Sequence, residues 1–331
     1  MVMSKRLPFD HLVPMEARSA DRLPTDYGWR FEPKWDGFRC LAFKADGKVW
    51  LQAKSGKSLA RFFPEVVAAL AAAAPDRFIV DGELTIETSA GLSFEALQMR
   101  LHPAQSRIGK LSLETPARLY AFDCLADESS DLLERPWTER HAALTALVAR
   151  SGGAIEMSPG VDSLAEAESW LKTGVAGRDG VVAKRRDAPY TPGERTMVKV
   201  KRIRTADCVV GGFRYLKDSS LIGSLLLGVY DSAGRLNHVG FTSTIANGER
   251  AELTARLEAV SGPPGFTGDA PGGPSRWSDE SRSQWTPLRP ELVVEVAFDH
   301  VSGGRFRHGT RLLRWRPDKR PDQCREEQLR A

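Results

Sequence analysis

A lysine stands inside the run Phe31-Glu32-Pro33-Lys34-Trp35-Asp36-Gly37-Phe38-Arg39-Cys40, two residues before an Asp-Gly pair and five before an arginine. A turn accounts for Asp36-Gly37, because both residue types tolerate the backbone angles that turns need. It leaves the amine, the indole and the guanidinium unexplained. A lysine amine attacks phosphorus only when unprotonated, and its ordinary pKa is about 10.4. A site that uses it must therefore disfavour the ammonium form, by burial or by nearby positive charge. Lys199 and Lys201 are suited to this, because positions i and i+2 of an extended segment share a face. Between these ends stand Ser55-Gly56-Lys57, Asp81-Gly82-Glu83-Leu84, Phe122-Asp123 and Asp179-Gly180-Val181-Val182-Ala183-Lys184, and Arg316-Pro317-Asp318-Lys319 follows near the C-terminus.

The elements that must position these residues alternate between strand and helix up to about residue 200. Residues 49–53, 77–84 and 118–125 read as strands, the second with a turn signal at Asp81-Gly82. Residues 62–74, 136–150 and 164–173 read as helices; Pro64 and Pro136 open the first two, and Pro75 and Gly152-Gly153 follow them. Residues 180–183 form a short apolar strand that runs into basic sequence. Beyond Arg204 the texture changes. Residues 208–215, 223–230, 236–242 and 292–298 read as short strands parted by turn residues, and helical signal is confined to 248–260. That pattern suits a small β-barrel. The Gly/Pro/Ser-rich stretch 261–274 reads as a long mobile loop.

A chain of 331 residues has room for two domains. The longest apolar run, 66–74, spans about nine residues, short of the roughly 20 a membrane-crossing helix requires. The N-terminus lacks the pattern of a signal peptide. Cys40, Cys124, Cys208 and Cys324 are too dispersed for a zinc knuckle or a disulfide framework, and the six histidines form no ligand-like pair. A reducing cytoplasm fits. The net charge of +4 says little, but its distribution says more. Eight Lys/Arg against two acids lie in 184–204, and seven against one in 305–320, which points to phosphate contact.

The ordered series from Lys34 to Lys319 resembles the covalent nucleotidyltransferase superfamily, and within it the ATP-dependent DNA ligases of the compact bacterial end-joining and repair type. The resemblance covers about residues 31–321. It implies an α+β fold, with an ATP-grasp-like adenylation domain of antiparallel sheets and helices over 1–203 and an OB-fold β-barrel over 204–331, hinged near 202–206. It implies sealing of 5′-phosphate/3′-hydroxyl nicks in duplex DNA through a Lys34-AMP and a DNA-adenylate, with ATP and Mg²⁺ or Mn²⁺. Each step is an in-line transfer in which positioning and charge stabilisation dominate. The expected setting is the cytoplasm at the bacterial nucleoid, as a monomer acting with repair or end-joining proteins. DNA contact is expected to be to the backbone and salt-sensitive, since a ligase must seal any sequence.

Carried over residue by residue, the resemblance makes Lys34 the nucleophile. It puts Glu32 at the adenine edge, Arg39 on the ribose and later the 5′-phosphate, and Glu83 on a ribose hydroxyl and the metal. Phe122 stacks on adenine and Asp179 binds metal. Lys184, Lys199 and Lys201 contact phosphates, while Arg316, Asp318 and Lys319 orient the leaving pyrophosphate. Asp36 and Lys57 belong to the matching blocks without a sharper role. Asp179 stands where the family usually has glutamate, so a metal or water bridge is expected to be remade through a shorter arm; the run Lys54-Ser55-Gly56-Lys57 replaces an arginine-containing version. The competing readings are an RNA ligase or RNA–DNA nick sealer, a capping guanylyltransferase using GTP, and a non-catalytic nucleic-acid-binding protein in which Lys34 is an exposed strand residue.

Overall fold

The computed structural model describes residues 12–89, 91–173, 178–272 and 284–329. The chain packs as two units, Met1–Arg202 and Ile203–Ala331.

The first unit runs β1 (Ala17–Ser19), β2 (Trp29–Trp35), β3 (Phe38–Ala45), β4 (Lys48–Ala53), α1 (Pro64–Ala72), β5 (Phe78–Thr88), β6 (Gly91–Leu92), α2 (Phe94–Arg100), α3 (Gln105–Glu114), β7 (Ala117–Ala126), α4 (Trp137–Arg150), β8 (Glu156–Met157), α5 (Leu164–Thr173), β9 (Arg178–Arg185) and β10 (Met197–Lys201). Two sheets result. One has the order β1-β10-β9-β2; the other has β4-β3-β5-β7-β8, with β6 added to β5. Most pairings are antiparallel, while β1 with β10 and β7 with β8 are parallel. The larger core lies under α1, α2 and α4 and includes Phe63, Leu70, Phe78, Leu84, Leu97 and Leu144. α1 shows how local sequence and packing agree. Pro64 opens it, Val66 and Leu70 share its buried stripe, and the buried Lys44 ammonium donates to Ala71 O and Ala73 O at its C-terminal end.

The strand expected over 77–84 is present as part of β5, which runs straight through the turn signal at Asp81-Gly82. Gly82 is needed there for another reason. A Cβ on it would lie 2.6 Å from Tyr120 O on the neighbouring strand β7. The glycine admits close approach of a strand, so Asp81 and Glu83 stay on one face of β5.

The second unit contains β11 (Arg204–Tyr215), β12 (Ile222–Tyr230), β13 (Leu236–Thr242), α6 (Arg250–Glu258), β14 (Thr286–Pro287), β15 (Val293–Phe298), β16 (Val301–Ser302), β17 (Arg305–Phe306) and β18 (Arg311–Trp315). Its main sheet has the order β13-β12-β11-β15-β18, with β14 on β11, and β16 and β17 form a separate hairpin. No continuous ladder closes this sheet into a barrel among the described residues. Its edge strands approach through a parallel bridge, Thr242 to Thr310, supported by Thr310 N–H donating to Phe241 O at 3.0 Å and Thr242 Oγ1 to Thr310 O at 2.9 Å. The expected barrel is thus partly open, as small barrels of this kind are. Phe213, Leu225, Leu227, Val294 and Val296 fill its interior.

The stretch expected to be a mobile loop is anchored over its described part, 261–272; residues 273 and 274 lie outside the described residues. Phe266 is buried in a second apolar cluster with Val209, Leu226 and Leu236. Thr267 and Gly268 N–H both donate to Leu236 O, and His238 N–H donates to Asp269 O. Composition hides this anchoring because one aromatic side chain and a few main-chain bonds accomplish it.

Candidate active site

The two sheets of the first unit bring residues from distant blocks to one cavity of about 310 Å³. Alternation on β2 puts Glu32 and Lys34 on the same face, opposite Phe31 and Trp35, which are buried. Trp35 stacks on Tyr120 with ring centroids 4.3 Å apart, and its indole N–H donates to Ser158 Oγ at 2.9 Å. The indole therefore fixes the strand that carries the lysine. Asp36-Gly37 then turns the chain into β3. A side chain at Gly37 would strike Leu84 O at 2.3 Å, and the Gly37 N–H donates to Glu83 Oε1 at 3.1 Å. Here the turn glycine also brings Glu83 beside the Lys34 block.

Glu32, Lys34, Arg39, Glu83, Phe122, Lys184 and Lys199 all line the cavity. Lys34 Nζ donates to Asp179 Oδ2 at 3.0 Å, which brings the β9 carboxylate to the amine. Lys199 faces in, between buried Val198 and Val200. Burial, then the charges of Lys34 and Lys201, push the Lys199 ammonium below its usual pKa. Lys34 and Lys201 thus lie close enough for their charges to act on Lys199. Burial pushes the Glu83 carboxyl up to about 7, against the opposing pull of Arg39 and Lys34.

Lys184 is the surprise among the cations. It is nine-tenths or more buried, pairs with Glu32 Oε2 at 2.8 Å and donates to Phe122 O at 2.9 Å. Its ammonium also lies 4.5 Å from the Phe122 ring centre, and the Arg39 guanidinium lies 4.6 Å from the same ring. Burial raises the Glu32 pKa while Lys184 opposes the rise. Glu32, Phe122 and Lys184 thus form one buried group.

Sequence reasoning singled out Glu83 in its block and passed over Asp81. Asp81 is fully buried; it accepts from Arg39 Nε and NH2, both at 2.5 Å, and from the Tyr190 hydroxyl at 2.6 Å. Burial opposes the Arg39 charge, but Asp81 more than compensates and holds that guanidinium firmly protonated. Arg39 also donates to Met15 O, and Met15 N–H donates to Tyr190 Oη at 2.8 Å. Pro14, Met15, Glu16 and Ala17 consequently form a wall of the cavity. Lys54, another cavity residue not singled out, pairs with Glu16 at 2.9 Å. It belongs to the same short run as Lys57, which is exposed and outside the lining. Asp36 and Lys201 are likewise not lining residues.

Arg316, Asp318 and Lys319 belong to the second unit. Arg316 contacts Asp207 and Asp318 at 2.9 and 2.8 Å, and Lys319 contacts Asp207 at 2.5 Å.

Comparison with known proteins places both units in one family. A family model described as the ATP dependent DNA ligase domain matches residues 14–201, and one described as the ATP dependent DNA ligase C terminal region matches 218–319. DNA ligase C1 of Mycolicibacterium smegmatis is 44% identical over 96% of this chain and 93% of its own length. DNA ligase C of Mycobacterium tuberculosis is 42% identical over the same shares. A solved structure from a structure–function study of Lig E DNA ligases has the same fold, with a TM-score of 0.58 at 18% identity over 92% of this chain and 99% of the other.

Proposed function

Because the chain belongs to the ATP-dependent DNA ligase family, we propose that Lys34 is the residue that its DNA ligase reaction adenylylates, and that the cavity around it takes ATP. Residues 1–203 serve as the adenylation domain and 204–331 as the OB domain. What supports the reading is convergence: residues as far apart in sequence as Glu32 and Lys199 line one cavity, with Lys34 inside it.

Lys34 Nζ attacks the α-phosphorus of ATP, pyrophosphate leaves, and a phosphoramidate holds AMP on the amine. A nick 5′-phosphate oxygen then attacks that phosphorus and releases the amine. Finally the 3′-hydroxyl attacks the activated 5′-phosphate, closing the strand and releasing AMP. For the first step the amine must give up its proton and its bond to Asp179, and Lys199 lines the same cavity. Arg39, fixed by Asp81, meets the ribose and then the 5′-phosphate.

The base end is the buried group. Phe122 offers a face for stacking, and the Glu32 carboxylate accepts from the adenine amino group. Guanine would present a carbonyl oxygen to that carboxylate, an acceptor against an acceptor, so ATP is favoured over GTP. Lys184, bonded to Glu32 and Phe122 O, orients this end rather than the phosphates. Asp179, bonded to Lys34, and Glu83, whose carboxyl feels the Lys34 charge, are hard oxygen donors, the ligand type suited to Mg²⁺ or Mn²⁺. When bound, such an ion neutralises triphosphate charge. Arg316 and Lys319 serve the departing pyrophosphate, and the physiological substrate is nicked duplex DNA in repair, with end-joining proteins as partners of the single chain.

The test is intact mass after incubation with ATP and Mg²⁺. One adenylyl group should appear, map to Lys34, and be missing from Lys34→Ala, which should still seal a pre-adenylated nick. No adduct with any divalent ion would overturn the reading.

A further inference from the structure

Asp207 on β11 lies directly across the ladder from Glu295 on β15. Two carboxylates so placed repel each other. Cations from β18 and the turn beyond it compensate: Arg314 Nε lies 2.6 Å from Glu295 Oε2, Arg316 NH1 lies 2.9 Å from Asp207 Oδ1, and Lys319 Nζ lies 2.5 Å from Asp207 Oδ2. The Asp207 backbone is clamped as well. Its N–H donates to Gln328 Oε1 and its carbonyl accepts from Gln328 Nε2, both at 2.8 Å. The carboxylate therefore projects from a fixed point and is largely shielded from water.

Holding the sheet together does not require this arrangement. β18 is already paired with β15, and the C-terminal segment is tied by Tyr230 N–H donating to Cys324 O. Arg316 has Asp318 as a bidentate partner of its own. Lys319 differs: among the described residues, Asp207 is the one ion-pair partner it has. One oxygen of Asp207 is thus committed to each of the two cations.

We propose that Asp207 is a positioning residue for adenylyl transfer, holding Arg316 and Lys319 ready and yielding Lys319 to the departing pyrophosphate. This rests on the reading above that those two cations serve the pyrophosphate. A free lysine side chain loses rotamer freedom when it takes up one geometry. Fixing it beforehand removes that cost from the transfer step. The exchange runs forward because a polyanion binds an ammonium more strongly than one carboxylate does.

The experiment compares wild type, Asp207→Asn, Lys319→Ala and the double variant in two single-turnover reactions. One is AMP adduct formation from labelled ATP with Mg²⁺, and the other is sealing of a pre-adenylated nicked duplex. Asp207→Asn should slow adduct formation about tenfold, the scale of one charge-assisted contact, and leave sealing unchanged. Adding Lys319→Ala to it should slow adduct formation less than Lys319→Ala does alone. Normal adduct formation in Asp207→Asn, with Lys319→Ala slow, overturns the inference and spares the reading beneath it. Equal loss in both reactions overturns it in favour of a purely structural carboxylate. Normal adduct formation in Lys319→Ala removes the reading of Lys319 and the inference together.

Discussion

Replacing Asp81 by asparagine tests whether the arginine of the cavity is held by one buried charge. Asp81 accepts two bonds from Arg39 and one from Tyr190, all at 2.5–2.6 Å, with no exposed surface. Asparagine keeps the volume but offers one acceptor, and it turns an NH₂ donor toward either the guanidinium or the phenol. Removing one partner of a buried ion pair costs about 3–5 kcal/mol. The retained acceptor and the partial exposure of Arg39 favour the low end. For a unit of this size, about 3 kcal/mol corresponds to a melting shift of about 6–12 °C. AMP adduct formation should fall as well, because a released Arg39 no longer meets the nucleotide in one geometry. Urea denaturation and single-turnover adenylylation read the two effects. Arg39→Met should be destabilising by itself, and the double variant should lose less than the sum of the singles, by about 0.5–3 kcal/mol. Strict additivity, or an Asp81→Asn protein that melts like wild type, would refute the argument.

Two further expectations follow from other sites. Asp179→Glu lengthens the carboxylate arm beside Lys34, so activity titrated with Mg²⁺ and with Mn²⁺ should shift between the two proteins; superimposable curves would show that the arm length is immaterial. His238 is held down to about 3 by burial and by Arg305 and Arg214. It stays neutral when folded but charges near 6.5 when unfolded, so stability present above pH 6.5 is lost as pH falls toward 3. By pH 4.5 that loss is about 3 kcal/mol. His238→Gln should flatten the melting-temperature profile between pH 6.5 and 4.5, and an unchanged slope would count against it.

What could be read in advance were the strands and helices whose side-chain periods persist, such as 236–242 and 164–173, both found with those bounds. The cluster of charged residues around Lys34 was legible because its blocks keep their order. Asp81 was not legible, because its burial depends on Tyr190, which lies 109 residues away. Lys184 sits in a basic run that reads as phosphate-contacting, yet strand alternation turns it inward to Glu32 while Arg185 stays partly exposed. α2 and α3 were missed; α2 spans only seven residues, barely two turns of side-chain period. Only Ala96, Leu97 and Arg100 are buried in α2, and its N-cap bond from Ala96 N–H to Ser93 Oγ is a signal too common in loops to stand alone.

The wall formed by Pro14 to Ala17 joins the opening of the chain to its chemistry. Met15 is bonded through both its amide and its carbonyl to Tyr190 and Arg39. A protein shortened or fused close to this point would keep every residue of the Lys34 block and still have a differently shaped cavity. Purification tags and domain fusions at that end therefore belong well upstream of Pro14, and kinetic differences among such preparations would report on the wall rather than on Lys34.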